Sequence, residues 1–156
     1  MKKEETVDYH IKSAWHAISR MYNQGGSAKG ITASTGFVLL NIDIENGSPA
    51  TKIAPMLGME ARSLTRMLKS LEASGLIYKK QDKEDKRSVR IYLTEAGLEK
   101  RRFSRDAVIF FNQRIRERVS DEQLDSFFHT MNTIVETIDE YKLSDQIELI
   151  ENEQTH

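Results

Sequence analysis

One stretch of the sequence, residues 51–93, alternates helical and strand-like patterns in an order that few folds can accommodate. A short helix is predicted first, with Thr51 as its cap and with Pro55 expected to shorten or kink it. Gly58 marks a tight turn, and apolar residues at helical spacing predict a second helix over residues 60–74. Two helices joined by such a turn form a helix-turn-helix.

The second predicted helix has two chemically different faces. Leu64, Leu68 and Leu71 recur at helical spacing and form an apolar stripe that is expected to face the core. Gly75 follows the helix at the position favoured for its C-terminal cap. The opposite face is polar and mostly basic, and it carries Arg62, Ser63, Thr65, Arg66 and Lys69.

A β-hairpin is predicted directly after this helix. Residues 76–81 and 88–93 are rich in β-branched and aromatic residues, and the second run alternates apolar and polar side chains. The six residues between them, Asp82–Arg87, are all charged. A charged hairpin tip is either a solvated turn or a wing that contacts phosphate, and a helix-turn-helix beside it favours the wing.

Together, the runs Ala61–Ile77 and Asp82–Gly97 resemble the winged helix of the MarR family of bacterial transcription regulators. The most specific part is the triplet Asp85-Lys86-Arg87, followed by a strand and by the pattern Leu93-Thr94-x-x-Gly97. The resemblance implies a mainly α fold with a small β-hairpin wing. It also implies two-fold homodimers joined by helices from both ends of the chain.

The helices that flank this segment fit the same arrangement. The first is predicted over residues 6–22, a glycine-containing loop over 23–31, and a buried helix from Thr32 to residue 47. Thr94 is expected to cap a long helix, and Ser120 with Gln123 forms a capping box for the last one. We therefore expect a winged helix-turn-helix lobe at 32–104. Residues 1–31 and 105–156 would form a helical dimerisation region, because their apolar stripes exceed what the lobe can cover.

Several basic residues are candidates for DNA contact. Arg62 and Arg66 lie four residues apart, and arginine can bind guanine O6 and N7 with two hydrogen bonds. Ser63 and Thr65 are shorter donors, and Lys69 is placed to contact phosphate. The resemblance implies that Arg87 enters the minor groove. In the rest of the wing we expect Lys83 and Lys86 at phosphate, Arg90 as a contact or a brace, and Asp85 as a brace that forms an ion pair.

The resemblance also implies an effector site between the dimer helices and the winged lobe. The matching region here is apolar and aromatic, with Trp15, Phe37, Leu40 and Phe110, and with His16 as a polar candidate. A mostly apolar or aromatic organic ligand would suit such a site. The alternative is that these residues are ordinary core.

The charge distribution and composition narrow the possible functions. The net charge is −1, but residues 60–105 hold 13 basic and 7 acidic side chains, so the positive charge lies on the predicted DNA-binding segment. There is no cysteine, which excludes disulfides and thiol-based sensing in this chain. The lack of cysteine and of an apolar leader suits a cytoplasmic location. No stretch approaches the roughly 20 apolar residues of a membrane helix, so we expect no membrane contact. The four histidines lack metal-type spacing, and no nucleophile or phosphate-loop motif is present, so neither an enzyme, a metal nor a cofactor is expected.

The sequence thus predicts a homodimeric transcription regulator that binds near-palindromic double-stranded DNA. We expect it to be a repressor that a small ligand releases. The alternative is a winged-helix module that binds a protein partner without specific DNA binding. The basic face of the second helix argues for the first possibility, and the acidic remainder of the chain leaves room for the second.

Overall fold

The computed structural model describes residues 2–82 and 85–140 of the chain. The predicted wing residue Lys83 and the last part of the predicted dimerisation region, 141–156, lie outside this range. The prediction of a mainly α fold with a small β wing is confirmed. In chain order the described elements are α1 (Val7–Gly26), α2 (Ala33–Leu40), β1 (Ser48–Pro49), α3 (Ala50–Met56), α4 (Ala61–Ala73), β2 (Ile77–Gln81), β3 (Val89–Leu93), α5 (Glu95–Arg116) and α6 (Asp121–Glu140).

The chain divides into two compact units, Met1–Phe110 and Phe111–His156. The core of the first unit joins α2, α3, α4 and the hairpin, and its most buried large side chains are Leu39, Ile42, Ile53, Ile91 and Val38. Burying an aliphatic side chain of this size contributes about 1.5–3 kcal/mol. The core therefore holds the helix-turn-helix and the wing in one lobe.

The wing is part of a three-stranded antiparallel sheet in the order β1-β3-β2. In the hairpin, Ile77 pairs with Leu93 and Gln81 with Val89. On the other side of β3, Ser48 pairs with Ile91, so Ser48–Pro49 forms a short third strand. Its pairing partner lies more than forty residues away, and local patterning gives no sign of it.

Two predicted helix boundaries are wrong. The first helix does not end at Tyr22 but continues to Gly26, and the Asn23 side chain accepts a hydrogen bond from Ala33 N at 2.8 Å at the start of α2. The second helix ends at Leu40 and not near residue 47. The Asp43 carboxylate accepts backbone N–H groups of the residues two and three positions further on, which stabilises a turn in place of the helix.

The start of α3 also differs from the prediction. The helix begins at Ala50 after Pro49, so Thr51 lies within its first turn and is not the cap. The helix is short, seven residues, with Pro55 near its end. Gly58 then takes the left-handed conformation, with φ of 59°, as the predicted tight turn requires.

The junction of α4, the hairpin and α5 depends on Thr94. Its hydroxyl donates to Gly75 O at 2.6 Å and accepts from Gly97 N at 3.0 Å, which confirms the predicted cap. Gly75 has a φ of 68°, in agreement with its predicted role at the C-terminus of α4. Gly97 lies directly against the carbonyl of Leu76, where a Cβ atom has no room. The pattern Leu-Thr-x-x-Gly therefore packs the start of α5 onto the turn before β2.

The second unit contains the end of α5 and helix α6. Ser120 and Gln123 exchange the two hydrogen bonds of the predicted capping box, at 3.0 and 3.3 Å. Among the described residues of α6, only Leu124 is buried. Met131 and Ile134 are partly buried, whereas four other large apolar side chains of the helix are 48–67% exposed: Phe127, Phe128, Val135 and Ile138.

Candidate nucleic-acid interface and the MarR family

Helix α4 buries its apolar face and exposes its basic face. Leu64, Leu68 and Leu71 are 3–4% exposed and lie in the core. The opposite side forms one shallow surface, which we name the α4 basic face and which is lined by Arg62, Thr65, Arg66 and Lys69. These positions follow the spacing of a single helical face. The structure thus brings together four of the five residues predicted on this helix, whereas Ser63 is exposed outside the shared surface.

The cations of the α4 basic face have no partners in the part of the chain that the structure describes. Arg62, Arg66 and Lys69 make no ion pair or side-chain hydrogen bond there. Unpaired, exposed cations are available to anionic ligands such as phosphate. Thr65 differs, because its hydroxyl donates to Ala61 O at 2.8 Å and keeps only acceptor capacity in this conformation.

The wing tip combines an ordered turn with exposed cations. Asp85 does not form the predicted ion pair with any described residue. It braces this turn through the backbone, because its carboxylate accepts Arg87 N at 2.9 Å and its carbonyl accepts Ser88 N at 2.8 Å. The side chains of Lys86 and Arg87 are exposed, and they form no ion pair with any described residue. The described part of the wing therefore presents two free cations on a turn whose backbone is hydrogen-bonded.

Arg90 has a different environment from the other predicted contact residues. Its Nη1 pairs with Asp82 Oδ2 at 2.9 Å, and its Nε and Nη2 donate to the backbone carbonyls of Asn46 and Gly47. The Tyr92 side chain also interacts with the guanidinium. The hydrogen bond to the Asp82 carboxylate raises the pKa of the guanidinium above its ordinary value, so Arg90 remains charged. Of the two roles considered from the sequence, these contacts support the brace. Its partners Asp82, Asn46 and Gly47 were not predicted.

The residues predicted for an effector pocket occupy four different environments. Phe37 and Leu40 line a cavity of about 30 Å³ in the first unit. Trp15 packs on Phe37, with ring centroids 5.7 Å apart, but does not line the cavity. His16 lines a separate polar groove on α1, and Phe110 is 60% exposed. The structure therefore groups two of the five residues around a cavity.

The cavity has lining residues that were not predicted for it, among them Tyr22, Phe103 and Ser104. The Tyr22 ring meets Phe37 edge-on at 5.9 Å, and burial raises the pKa of the Tyr22 phenol. Ser104 donates to Lys100 O at 3.0 Å and lies against Gly36. Tyr22 and Phe103 belong to the apolar stripes of α1 and α5, but periodicity alone does not show which side chains line a cavity. The volume matches about one water molecule.

Two further properties follow from the described ranges 2–82 and 85–140. They contain no group of three or more histidine or acidic side chains arranged to hold a metal ion. Within the same residues, no helix combines the length and the apolar character needed to cross a bilayer.

Comparison with known proteins identifies the fold that carries the α4 basic face. Residues 31–89 match the model of the MarR family. The chain belongs to the MarR family. It is 34% identical over 89 residues to the HTH-type transcriptional regulator TtmR of Methylorubrum extorquens (strain PA1), an alignment that covers 57% of this chain and 46% of TtmR. This MarR-family chain thus spans less than half the length of that relative.

Two solved structures resemble the chain over most of its length. The S. aureus MepR–DNA complex matches with a TM-score of 0.78 and 21% identity, covering 85% of this chain and 98% of MepR. The transcriptional repressor CouR bound to a 23-mer DNA duplex matches with a TM-score of 0.72 and 25% identity, covering 85% and 94%. The sequence-based assignment to this family is confirmed.

Proposed function

We propose that the protein is a homodimeric, sequence-specific DNA-binding repressor that a small organic ligand releases. The α4 basic face carries this proposal: Arg62, Arg66 and Lys69 are exposed, and no described residue pairs with them, on a helix whose other side is fixed in the core. Repression is proposed by analogy with CouR, which is described as a transcriptional repressor. In this proposal the protein acts in the cytoplasm and has no enzymatic activity.

The α4 basic face and the wing would recognise different parts of the duplex. Arg62 and Arg66 would read guanine edges in the major groove, with Ser63 and Thr65 as shorter contacts and Lys69 at phosphate. Arg87 would enter the adjacent minor groove, where narrow A·T-rich segments attract arginine. Lys83 and Lys86 would contact phosphate beside it. The net positive charge of residues 60–105 favours this division of roles.

A second copy of the chain is the proposed partner of the terminal helices. On α1, Val7, Ile11 and Trp15 are 38–52% exposed, and on α6, Phe128 and Ile138 are 48% and 67% exposed. Exposed apolar side chains along helices at both ends of a chain favour an interface formed from them. Residues 1–31 and 105–156 would form it, and residues 32–104 would bind DNA. Two-fold symmetry would set the recognition helices about 34–36 Å apart, which favours a near-palindromic site.

The effector would occupy the region of the cavity beside Phe37 and Leu40. The present volume of about 30 Å³ is far below the roughly 300 Å³ of ordinary ligand pockets, so binding would require side chains such as Tyr22 to move. A mostly apolar or aromatic ligand fits this lining. Its effect on DNA binding would come from different affinities for the competent and incompetent conformations.

The primary experiment is fluorescence anisotropy of labelled DNA from the region flanking the protein's own gene, with unlabelled random DNA as competitor. We expect binding that outcompetes random DNA and weakens steeply as salt rises. Arg66→Ala should lower the affinity about 5- to 100-fold, whereas Arg118→Ala, which removes the same charge outside the lobe, should change it little. If flanking DNA binds no better than random DNA and Arg66→Ala equals Arg118→Ala, the protein-interaction alternative gains support.

The dimer proposal has its own test by sedimentation velocity. Phe128→Glu places a charge on the apolar side of α6, and we expect it to shift the protein towards monomer. Ser126→Glu is the control, because Ser126 is exposed on the same helix and is already polar. A wild-type protein that is monomeric at micromolar concentration would refute the dimer.

A further inference from the structure

The base of the wing is joined to the loop between α2 and α3 through one side chain. Arg90 Nε donates to Asn46 O at 2.9 Å, and Arg90 Nη2 donates to Gly47 O at 3.1 Å. Its Nη1 reaches Asp82 Oδ2 at 2.9 Å, at the point where β2 ends. One guanidinium therefore connects three segments: the loop before α3, the end of β2, and β3 itself.

The loop approaches β3 closely enough to fix this geometry. Gly47 has a φ of 65°, and a Cβ atom there would lie 2.7 Å from Ile91 O and 2.8 Å from the Tyr92 ring. Any other residue would push the loop away from the strand. Asp82 in turn supports the tip, because its other carboxylate oxygen accepts Asp85 N at 3.2 Å. We name this set of contacts the wing clamp, formed by Arg90, Asp82, Asn46 and Gly47.

We propose that Arg90 is a positioning residue, which holds the wing so that Arg87 is presented to DNA, and that it does not bind DNA itself. The inference rests on the proposed function and refines it. Arg90 is directed at carbonyls and a carboxylate within the lobe, and 27% of its side chain is exposed. Arg87, by contrast, is exposed, and its side chain forms no ion pair or hydrogen bond with described residues. The two arginines of the wing thus have separate roles.

The clamp needs the shape of a guanidinium as well as its charge. Nε and Nη2 lie on one edge of the planar group and meet the carbonyls of two consecutive residues, while Nη1 meets the carboxylate. A lysine ammonium has the same charge but cannot span these three acceptors. Arg90→Lys therefore separates charge from geometry. If Arg90 contacted a phosphate, lysine would largely replace it; as a clamp, it would not.

Asp82→Asn distinguishes a net-charge effect from the clamp, because the two predict opposite changes in the affinity for DNA. Removing an acidic side chain near DNA should raise the affinity if only net charge matters. If the clamp positions the wing, losing the ion pair should lower the affinity. We expect Arg90→Lys and Asp82→Asn each to weaken operator binding on the order of tenfold.

A double-variant cycle on the full-length chain tests the coupling between the two arginines. In the Arg87→Ala background, Arg90→Lys should change operator affinity by less than about twofold, because the side chain it positions is gone. In the Arg62→Ala background, which alters α4 and not the wing, Arg90→Lys should retain its full effect. Equal effects of Arg90→Lys in both backgrounds would show that Arg90 acts independently of Arg87, and would overturn the proposal.

The wing clamp can also be tested without DNA, so that the result does not depend on the proposed function. Amide hydrogen exchange at Asp85–Ser88 in the free protein should become several-fold faster in Arg90→Lys and Asp82→Asn. Unchanged exchange in both variants would refute the clamp, whatever the protein binds. If the wild-type chain shows no specific DNA binding while exchange does accelerate, the function proposed above fails but the clamp is supported.

Discussion

The contact between Gly97 and the Leu76 carbonyl predicts that adding a single methyl group at position 97 destabilises the protein. A Cβ on Gly97 would overlap Leu76 O, lie 3.0 Å from the carbonyl carbon, and lie 3.3 Å from Leu93 Cδ2. The carbonyl cannot easily turn away, because it accepts the Thr94 N–H at 3.1 Å. Gly97→Ala therefore requires α5 to move by on the order of 1 Å.

The expected cost has three parts. Overpacking of this kind costs about 1–3 kcal/mol. A shift of α5 also weakens the two hydrogen bonds of the Thr94 hydroxyl, at about 0.5–1.5 kcal/mol each. Alanine recovers about 1 kcal/mol over glycine through helix propensity. The free energy of unfolding should therefore fall by about 3 kcal/mol, which corresponds to a decrease in Tm of roughly 6–12 °C.

Urea unfolding followed by far-ultraviolet circular dichroism measures this change, at equal subunit concentration for all variants because dimers gain stability with concentration. Gly25→Ala is the matched control, since Gly25 is also helical but has no atom near its Cβ position. It should raise the free energy of unfolding by about 0.5–1 kcal/mol. A Gly97→Ala protein as stable as the wild type would refute the packing argument.

Three further outcomes are expected. Thr94→Val should lower the free energy of unfolding in urea by about 1–3 kcal/mol, because the hydroxyl forms hydrogen bonds with two backbone groups. Thr94→Ser keeps the hydroxyl and should largely retain the wild-type stability. Burial raises the pKa of the Tyr22 phenol above its ordinary value of 10.0, so the stabilisation provided by this shift is complete below pH 10 and is lost as the pH rises further. Tyr22→Phe should make the free energy of unfolding, measured in urea, depend less on pH in this range. Gly36→Ala should destabilise the protein by about 1 kcal/mol, since its Cβ would lie 3.0 Å from Ser104 Oγ, and adding Ser104→Ala should relieve the strain; additive losses would contradict this.

The elements that were predicted correctly are those specified by neighbouring residues. The apolar stripe of α4 repeats every three or four positions, and the hairpin strands alternate around one charged tip, so both follow from local periodicity. The capping box at Ser120 is likewise a pattern four residues long. Such signals need no knowledge of the tertiary structure, which is why the α4 basic face could be identified from the sequence.

The elements that were missed depend on contacts between distant segments or on single polar side chains. The end of α2 is determined by the turn at Asp43, which competes with an apolar pattern that would continue the helix. Arg90 and Asn46 are separated by 44 positions, and no periodicity connects them. The grouping of Tyr22 with Ser104 around a cavity depends in the same way on how two helices pack.

The position of the wing relative to α4 depends on directional polar contacts at both ends of β3. Near its start, Arg90 binds the loop from which α3 begins; directly after its end, Thr94 binds Gly75, which follows α4. Apolar packing is non-directional and tolerates small rotations, whereas hydrogen bonds to carbonyls fix an orientation. If α4 and the wing contact two adjacent DNA grooves, as proposed above, their surface needs a fixed orientation more than it needs additional buried area. On that proposal, an arginine and a threonine at these two junctions supply the directional contacts that the apolar core of the lobe does not.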